Sequence, residues 1–382
     1  MRKLELPAGK SPRDWGHIHG ESFRGEVKAL TEIRIYLCTK VGGFKDRSQV
    51  LAAARAHLPI LESYHHGLSE ELHGIAEGAG VTPEEIVVAN HYTDLRDLDP
   101  DPAKWRPAPT KDDPRAEGHG IGASALGGDG CSAFFAETPT GAIVAQTWDM
   151  HATAIPYVMM LTVPQSHDGP AAHLLTVTGC LGMAGMNSAR VAIAINNLYS
   201  MDATLGIVWP AMVRRALHQT SAEAAYEVIR TSPIGSGHHY FIADQGAAGV
   251  ANAFAVEASG TRRKLVYRRD SARDYEVSGA YCHTNHCLDG EVAARSKVPA
   301  TSTTYDRMKL LEAQPRITSL DDAWRVMGSE EGWPKSICTN MATPESPHGA
   351  ATCGAIAMNM TTGEVWAQQG FVHNVAPEKF HV

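Results

Sequence analysis

The sequence changes character at Cys131, and that change limits the folds open to it. Before about residue 100 it reads mainly as helix. Asp46-Arg47 leads into an alanine- and leucine-rich segment reaching about Gly78. Thr82-Pro83-Glu84-Glu85 is then a capping box with proline at the first helical position. Asp99 to Arg115 holds five prolines among many charges and reads as an exposed connector. Gly118 to Gly130 is glycine-rich and is expected to be mobile. After Cys131 come strands: Ala142 to Trp148, Val158 to Val163, Leu174 to Val177 and Val191 to Ile195. Trp209 to Arg230 is helical, with a break near Thr220, where Thr220-Ser221-Ala222-Glu223 offers a second capping box. Strands follow at Tyr240 to Ala243, Val250 to Glu257 and Leu265 to Arg268, then helices at Thr303 to Glu312 and Leu320 to Met327. Two last strands run through Gly354 to Met360 and Glu364 to Gln369. Strands, then helices, then strands suit two sheets stacked between helical layers. At 382 residues the chain exceeds one typical domain, yet one large α/β unit accommodates it.

The boundary itself carries chemistry. Gly127-Gly128-Asp129-Gly130-Cys131-Ser132-Ala133-Phe134 leads glycine-rich sequence straight into a strand that begins with cysteine. Thiolate is the most nucleophilic ordinary side chain, and a preceding glycine leaves its carbonyl unshielded. Those are the ingredients of a chain that cuts itself between Gly130 and Cys131. Residues 1–130 would then be a leader and residues 131–382 a catalytic unit beginning with the nucleophile. The bland alternative is a buried cysteine that opens a core strand.

Cys131 to Ala136, the turn Thr138-Pro139-Thr140-Gly141 and Ala142 to Asp149 form a hairpin. A turn centred near Thr140 puts Asp149 opposite Cys131, with side chains roughly 5 Å apart. A one-residue slip would turn Asp149 to the other face. Farther on, Tyr281-Cys282-His283-Thr284-Asn285-His286-Cys287-Leu288 packs two cysteines and two histidines together. Structural zinc sites usually draw ligands from two separated pairs, and alternating strand side chains cannot all converge. Asn285 can instead present its amide N–H to a developing oxyanion.

Taken together, the chain resembles the acyl-coenzyme A:6-aminopenicillanate acyltransferase-like family of self-processing cysteine N-terminal nucleophile hydrolases. The likeness rests on His73-Gly74-Ile75-Ala76-Glu77-Gly78-Ala79-Gly80-Val81 with Glu84-Glu85-Ile86 and Asn90, and on Asp129-Gly130-Cys131 and Trp148-Asp149. It continues through His283-Thr284-Asn285-His286 and the closing hairpin Ala355 to Met360 with Thr362 to Trp366. The resemblance implies a four-layer αββα sandwich with catalytic Cys131, Asp149 and Asn285. It also matches Asn197 to an asparagine near the acyl pocket, with His286 as a further weak substrate contact. Two departures stand out. Ser336-Ile337-Cys338 is followed by Thr339 where the family often has arginine, and Asn90-His91-Tyr92-Thr93-Asp94 replaces a stretch where relatives carry arginine and glutamate. An arginine missing from the site would change recognition of acidic or β-lactam substrates.

Chemistry then supplies a mechanism. Cys131 sulfur attacks the Gly130 carbonyl, and water opens the resulting thioester. The freed α-amino group, with a reference pKa near ~7.7, takes the thiol proton without a catalytic histidine. Asp149 orients that amino group. The thiolate attacks an amide or thioester, Asn285 and a backbone N–H hold the oxyanion, and the acyl group passes to water or to an amine. Two other classes compete. One is a papain-like thiol protease pairing Cys131 with His283; the other is a noncatalytic zinc-binding module built on Cys282, His283, His286 and Cys287.

Other residues read as structure first. Asn196-Asn197, ending its strand, matches a position where relatives place an asparagine near the acyl pocket, with a strand-end turn as the bland alternative, and Asn187 reads the same way more weakly. His65-His66 and His238-His239 read as surface or packing histidines, Met159, Met160, Met183 and Met186 as core, and Arg262-Arg263-Lys264 as a solvated turn. The net charge of −8 argues against nonspecific nucleic-acid binding. No apolar run is long enough for a membrane span, and Met1-Arg2-Lys3-Leu4-Glu5-Leu6-Pro7 lacks a signal-peptide core. Seven scattered cysteines, an odd number, fit reduced thiols in a cytoplasm. The expected partners are a small acyl-amide or acyl-thioester substrate and the cleaved leader, with further copies of the chain as a candidate. No cofactor and no metal are expected.

Overall fold

A computed structural model describes residues 1–113, 115–121, 130–247, 250–269 and 280–382. The leader region contains strand β1 (Arg2–Glu5) and helices α1 (Pro12–Ser22), α2 (Arg24–Lys40), α3 (Arg47–Tyr64), α4 (His66–Ala79) and α5 (Pro83–Asp97). Strands β2 (Gly130–Thr138), β3 (Gly141–His151), β4 (Val158–Val163), β5 (Ala172–Val177), β6 (Ala184–Asn187) and β7 (Ala192–Asn197) follow. Next come α6 (Trp209–Leu217), α7 (Ala222–Thr231), β8 (His238–Ala247), β9 (Val250–Ala258), β10 (Arg263–Arg269) and β11 (Ala280–His283). The chain closes with α8 (Gly290–Ala293), α9 (Thr304–Glu312), α10 (Leu320–Met327), β12 (Ala350–Asn359), β13 (Glu364–Gln369) and β14 (Glu378–His381).

The strands make two sheets, an eight-stranded one in the order β1-β4-β5-β6-β7-β8-β9-β10 and a six-stranded one in the order β11-β2-β3-β12-β13-β14. Strand alternation builds both cores. Cys131, Ala133 and Phe135 on β2 point between the sheets, where Phe135 lies 5.4 Å from the Phe241 ring. Phe134 and Ala136 point the other way, into an apolar cluster with Trp324 and Met327 of α10. Helices α6 and α7 cover the eight-stranded sheet, and α9 and α10 cover the six-stranded one. The two sheets are thus stacked between helical layers, the expected αββα arrangement.

The leader region is not purely helical. Strand β1 pairs in parallel with β4, so the first residues complete the edge of the larger sheet. Four polar-apolar residues are too short a pattern to stand out in sequence; the pairing comes from the waiting edge. Helices α1 and α4 meet at very close range. A β-carbon on Gly74 would sit 2.2 Å from the Arg13 carbonyl oxygen, and one on Gly16 1.9 Å from that of Glu71. The glycine-rich run seen in the sequence is therefore a close helix–helix contact. Thr82 caps α5 as expected, with the Glu85 carboxylate returning to its backbone N–H at 2.7 Å.

Two local expectations need correction. Helix α7 is capped by Ser221, not Thr220. Arg262 and Arg263 are buried rather than solvated: Arg263 donates to the carbonyls of Arg230, Ser232 and Pro109 at 2.9, 2.7 and 2.7 Å, which helps pin the connector. The glycine-rich run expected to be mobile is packed at its start, where Gly118 and Gly120 lie tight against the backbone of Asp202 and Ser200; its residues 122–129 lie outside the described residues.

Candidate active site

The first hairpin pairs Gly130 with Asp149 and Cys131 with Trp148. The turn is centred half a residue earlier than expected, because Thr138 pairs directly with Gly141. That is the one-residue slip, and it corrects the expected juxtaposition. The Cys131 side chain points between the sheets, whereas Asp149 belongs to the opposite face with Gly130, Ser132 and Thr147. Asp149 still reaches Gly130, since a β-carbon there would lie 3.2 Å from its Oδ2 and 3.1 Å from Nη2 of Arg307. Gly130 is thus wedged between a carboxylate and a guanidinium, which would have to give way to any side chain there.

Cys131 is held at both ends of its backbone. Its N–H donates to Asn285 Oδ1 at 2.7 Å. Its carbonyl accepts from Arg307 Nη1 at 2.7 Å and from Asn196 Nδ2 at 3.1 Å. The thiol is buried, and burial, then the nearby Asp149 charge, push it up to about 12. Backbone N–H groups of Asp149 and Asn197 and the Arg307 cation act in the opposite direction. Burial also lifts Asp149 to about 6, against the pull of Arg307 and, more weakly, of the Thr352 and Thr147 hydroxyls. Neither Asp149 oxygen has a hydrogen bond in good geometry among the described residues.

Asn285 lies at the candidate nucleophile, but its amide is turned. Oδ1 accepts from both Cys131 N–H and Arg307 Nη2, the latter at 2.8 Å, while Nδ2 donates to the Asn197 carbonyl at 2.8 Å. The side-chain N–H expected for an oxyanion is thus engaged, and the oxygen faces the Cys131 nitrogen. A side-chain amide offers either end, and the Arg307 cation selects the oxygen. His286 stands one contact farther out. It bonds Thr304 Oγ1 at 3.0 Å, and that hydroxyl also accepts the Asn285 N–H at 2.7 Å. Asn197 contributes its backbone on both sides, N–H toward the thiol and carbonyl to Asn285.

Arg307 was not singled out by sequence. It lies within an expected helix whose other charges are solvent-facing, and nothing local marks it as different. It is fully buried and spans four acceptors: Cys131 O, Ser132 Oγ at 3.0 Å, Asn285 Oδ1 and Thr303 Oγ1 at 2.9 Å. The site therefore does not lack a guanidinium. Thr339, where relatives often have arginine, donates its N–H to Thr352 Oγ1 at 2.9 Å, and Thr352 is the ladder partner of Asp149.

The competing arrangements are not assembled. Both His283 ring nitrogens are occupied, Nδ1 by the Thr284 carbonyl at 2.7 Å and Nε2 by Glu257 at 2.8 Å, so neither addresses the Cys131 thiol. Cys282 turns instead to Met308 at 3.9 Å, away from His283, as strand alternation requires. His238 and His239 are buried and hydrogen-bonded to Asp94 and Asn196 at 2.7 and 2.8 Å, which places both in packing rather than on the surface.

Residues 136–367 match the family described as acyl-coenzyme A:6-aminopenicillanic acid acyl-transferase. The chain belongs to that family. A curated relative, the 40 kDa form of acyl-coenzyme A:6-aminopenicillanic-acid-acyltransferase from Emericella nidulans, is 27% identical over 343 residues, 88% of this chain and 84% of its own. Among solved structures, a mutant of conjugated bile acid hydrolase from Clostridium perfringens aligns with a TM-score of 0.40 at 11% identity, over 66% of this chain and 92% of its own. Penicillin V acylase from Agrobacterium tumefaciens aligns at 0.36 and 12% identity, over 66% and 85%. Membership places the chain among enzymes of acyl transfer. Among the described residues no helix is long and apolar enough to cross a membrane.

Proposed function

We propose that this acyltransferase-family enzyme cuts itself between Gly130 and Cys131 and then uses Cys131 as an N-terminal nucleophile on a small N-acyl amide or acyl thioester. The observation that carries the reading is the clamp on Cys131: Asn285 Oδ1 at its nitrogen, Arg307 and Asn196 at its carbonyl. In the self-cleavage step a bond forms between Cys131 sulfur and the Gly130 carbonyl carbon. The Gly130–Cys131 C–N bond breaks and the thiol proton ends on the new amine. Water then hydrolyses the thioester, leaving a Gly130 carboxylate and a free thiol. Burial keeps the precursor thiol largely protonated, and after the cut the free amine beside the sulfur supplies a base for turnover.

In turnover, the thiolate takes the acyl group, the amine or thiol of the substrate leaves with the proton, and water or an acceptor amine releases the acyl-enzyme. The donors for the oxyanion are the Asn197 backbone N–H and Asn285 Nδ2, which exchanges the Asn197 carbonyl for the substrate oxygen while Arg307 keeps Oδ1. We further propose that the leader stays docked. It is held by Glu71 on Arg214 at 2.9 Å, Asp94 on His238, Asp97 on the Ser200 N–H at 3.0 Å, and by the β1–β4 pairing.

The test is a denaturing gel with N-terminal sequencing of the protein beside Cys131→Ala. Two fragments, the second beginning at Cys131 and absent from the variant, are expected. A single uncut chain that turns over amides would overturn self-processing.

A further inference from the structure

Between the two sheets runs a polar chain that the acyl chemistry above does not use. Asn196 on β7 donates Nδ2 to two carbonyls, those of Cys131 at 3.1 Å and His283 at 3.3 Å. Carbonyls only accept, so this end must be the NH₂ group and Oδ1 the other. Asn196 Oδ1 faces His239 Nδ1 at 2.8 Å, so that ring nitrogen carries the hydrogen. His239 is completely buried on β8 and lies flat on the His283 ring, 3.7 Å between centroids at 3°. Burial, then that neighbour, hold it well below the ordinary histidine range, so the ring is neutral and has one hydrogen. Its Nε2 is therefore bare and accepts from the Tyr281 hydroxyl, 3.0 Å away on β11. Each link allows one direction: Tyr281 O–H to His239, His239 Nδ1–H to Asn196, Asn196 N–H to Cys131.

We propose that His239, backed by Tyr281, is a positioning residue for the nucleophile, acting on Cys131 through Asn196. The inference rests on Cys131 being the nucleophile of the proposed function. Arg307 fixes the Cys131 carbonyl from the α9 side, and the Tyr281–His239–Asn196 chain fixes it from the β7–β8 side. With the carbonyl held from both sides, the Cys131 α-carbon cannot swing. The sulfur keeps its approach to the Gly130 carbonyl before cleavage and its distance from the α-amino group afterwards. Without the His239 hydrogen, Asn196 Oδ1 loses its buried partner, and only the two carbonyls are left to hold the amide in place.

Asparagine places an N–H close to where histidine has Nδ1, whereas glutamine places one near Nε2. Self-cleavage rates of purified precursor are compared for wild type, His239→Asn, His239→Gln and Tyr281→Phe, with the folded fraction of each read by near-UV circular dichroism. We expect His239→Gln to cleave at least about tenfold more slowly while folded, and His239→Asn to recover most of the rate. Equal rates for Asn and Gln, or a Gln variant as fast as wild type, would overturn the positioning role. As a second readout, ¹⁵N-histidine spectra of Cys131→Ala should show His239 protonated at Nδ1, with that preference weakened by Tyr281→Phe; an Nε2-protonated ring would overturn the chain's direction. A wild-type precursor that never cleaves would instead count against the proposed function, and the spectra would still test the tautomer.

Discussion

Arg307→Leu in a Cys131→Ala background isolates what the buried guanidinium contributes before any cut is made. The substitution removes the donors to Cys131 O, Ser132 Oγ, Asn285 Oδ1 and Thr303 Oγ1. It also removes the largest influence opposing burial at Asp149, leaving a carboxyl that already stands at about 6 with less reason to ionise. Removing one partner from a buried charged cluster typically destabilises by ~3–5 kcal/mol. Urea unfolding at neutral pH should therefore show a lower midpoint with an unchanged slope. With Cys131 restored, Asn285 is free to turn its amide, and the Cys131 carbonyl keeps only Asn196. Self-cleavage should slow by ~100-fold, the scale of misplacing a reacting group by about 1 Å. Arg307→Lys should fall between, because an ammonium keeps the charge but cannot span Cys131 O and Asn285 Oδ1 as a planar fork does. An Arg307→Leu protein as stable as its parent, and as quickly cut, would refute this account of the site.

Gly130→Val should block cutting while Gly130→Ala slows it, because a β-carbon there stands 3.1–3.2 Å from Arg307 and Asp149; equal rates for glycine and valine on gels would count against the wedge. Asp149 is raised from 3.8 to about 6, so its contribution is complete below the unfolded value and is lost as pH rises through the folded one. Relative to Asp149→Asn, the Cys131→Ala protein should lose stability between pH 4 and 6 by up to ~3 kcal/mol, and a flat difference in urea midpoints would refute it. His91 and His19 behave oppositely: burial holds them down to about 3 and about 4, so unfolding takes up protons and stability should fall as pH drops from 6.5 toward 4. An unfolding midpoint that held steady for wild type but not for His91→Phe would contradict this. Arg214→Met strands the buried Glu71 carboxylate, so the cut leader should dissociate more readily on size exclusion; full retention would argue that the β1–β4 pairing and Asp94 suffice.

Several features of the candidate site were legible because each reflects a local requirement. Glycine before cysteine at the head of a strand, the proline-led cap at Thr82 and the alternation along β2 and β3 are short-range signals, and each holds in the structure. The glycine run of α4 was visible too, although its cause, a helix crossing at contact distance, was not. The hairpin register failed for a plain reason. Strand side chains repeat every second residue, so a half-residue error in the turn centre moves Asp149 to the opposite face without altering the hydrophobic pattern. Arg307 was illegible as a site residue for another. A lone charge on an amphipathic helix looks ordinary until a residue 176 positions away closes over it. Sequence by itself determined the layers and singled out Cys131 behind its glycine, because those depend on residue type and period. Tertiary structure alone decided which end of Asn285 meets Cys131, which cation stands beside Asp149 and which histidine reaches the site, because each depends on how two sheets from distant parts of the chain stack.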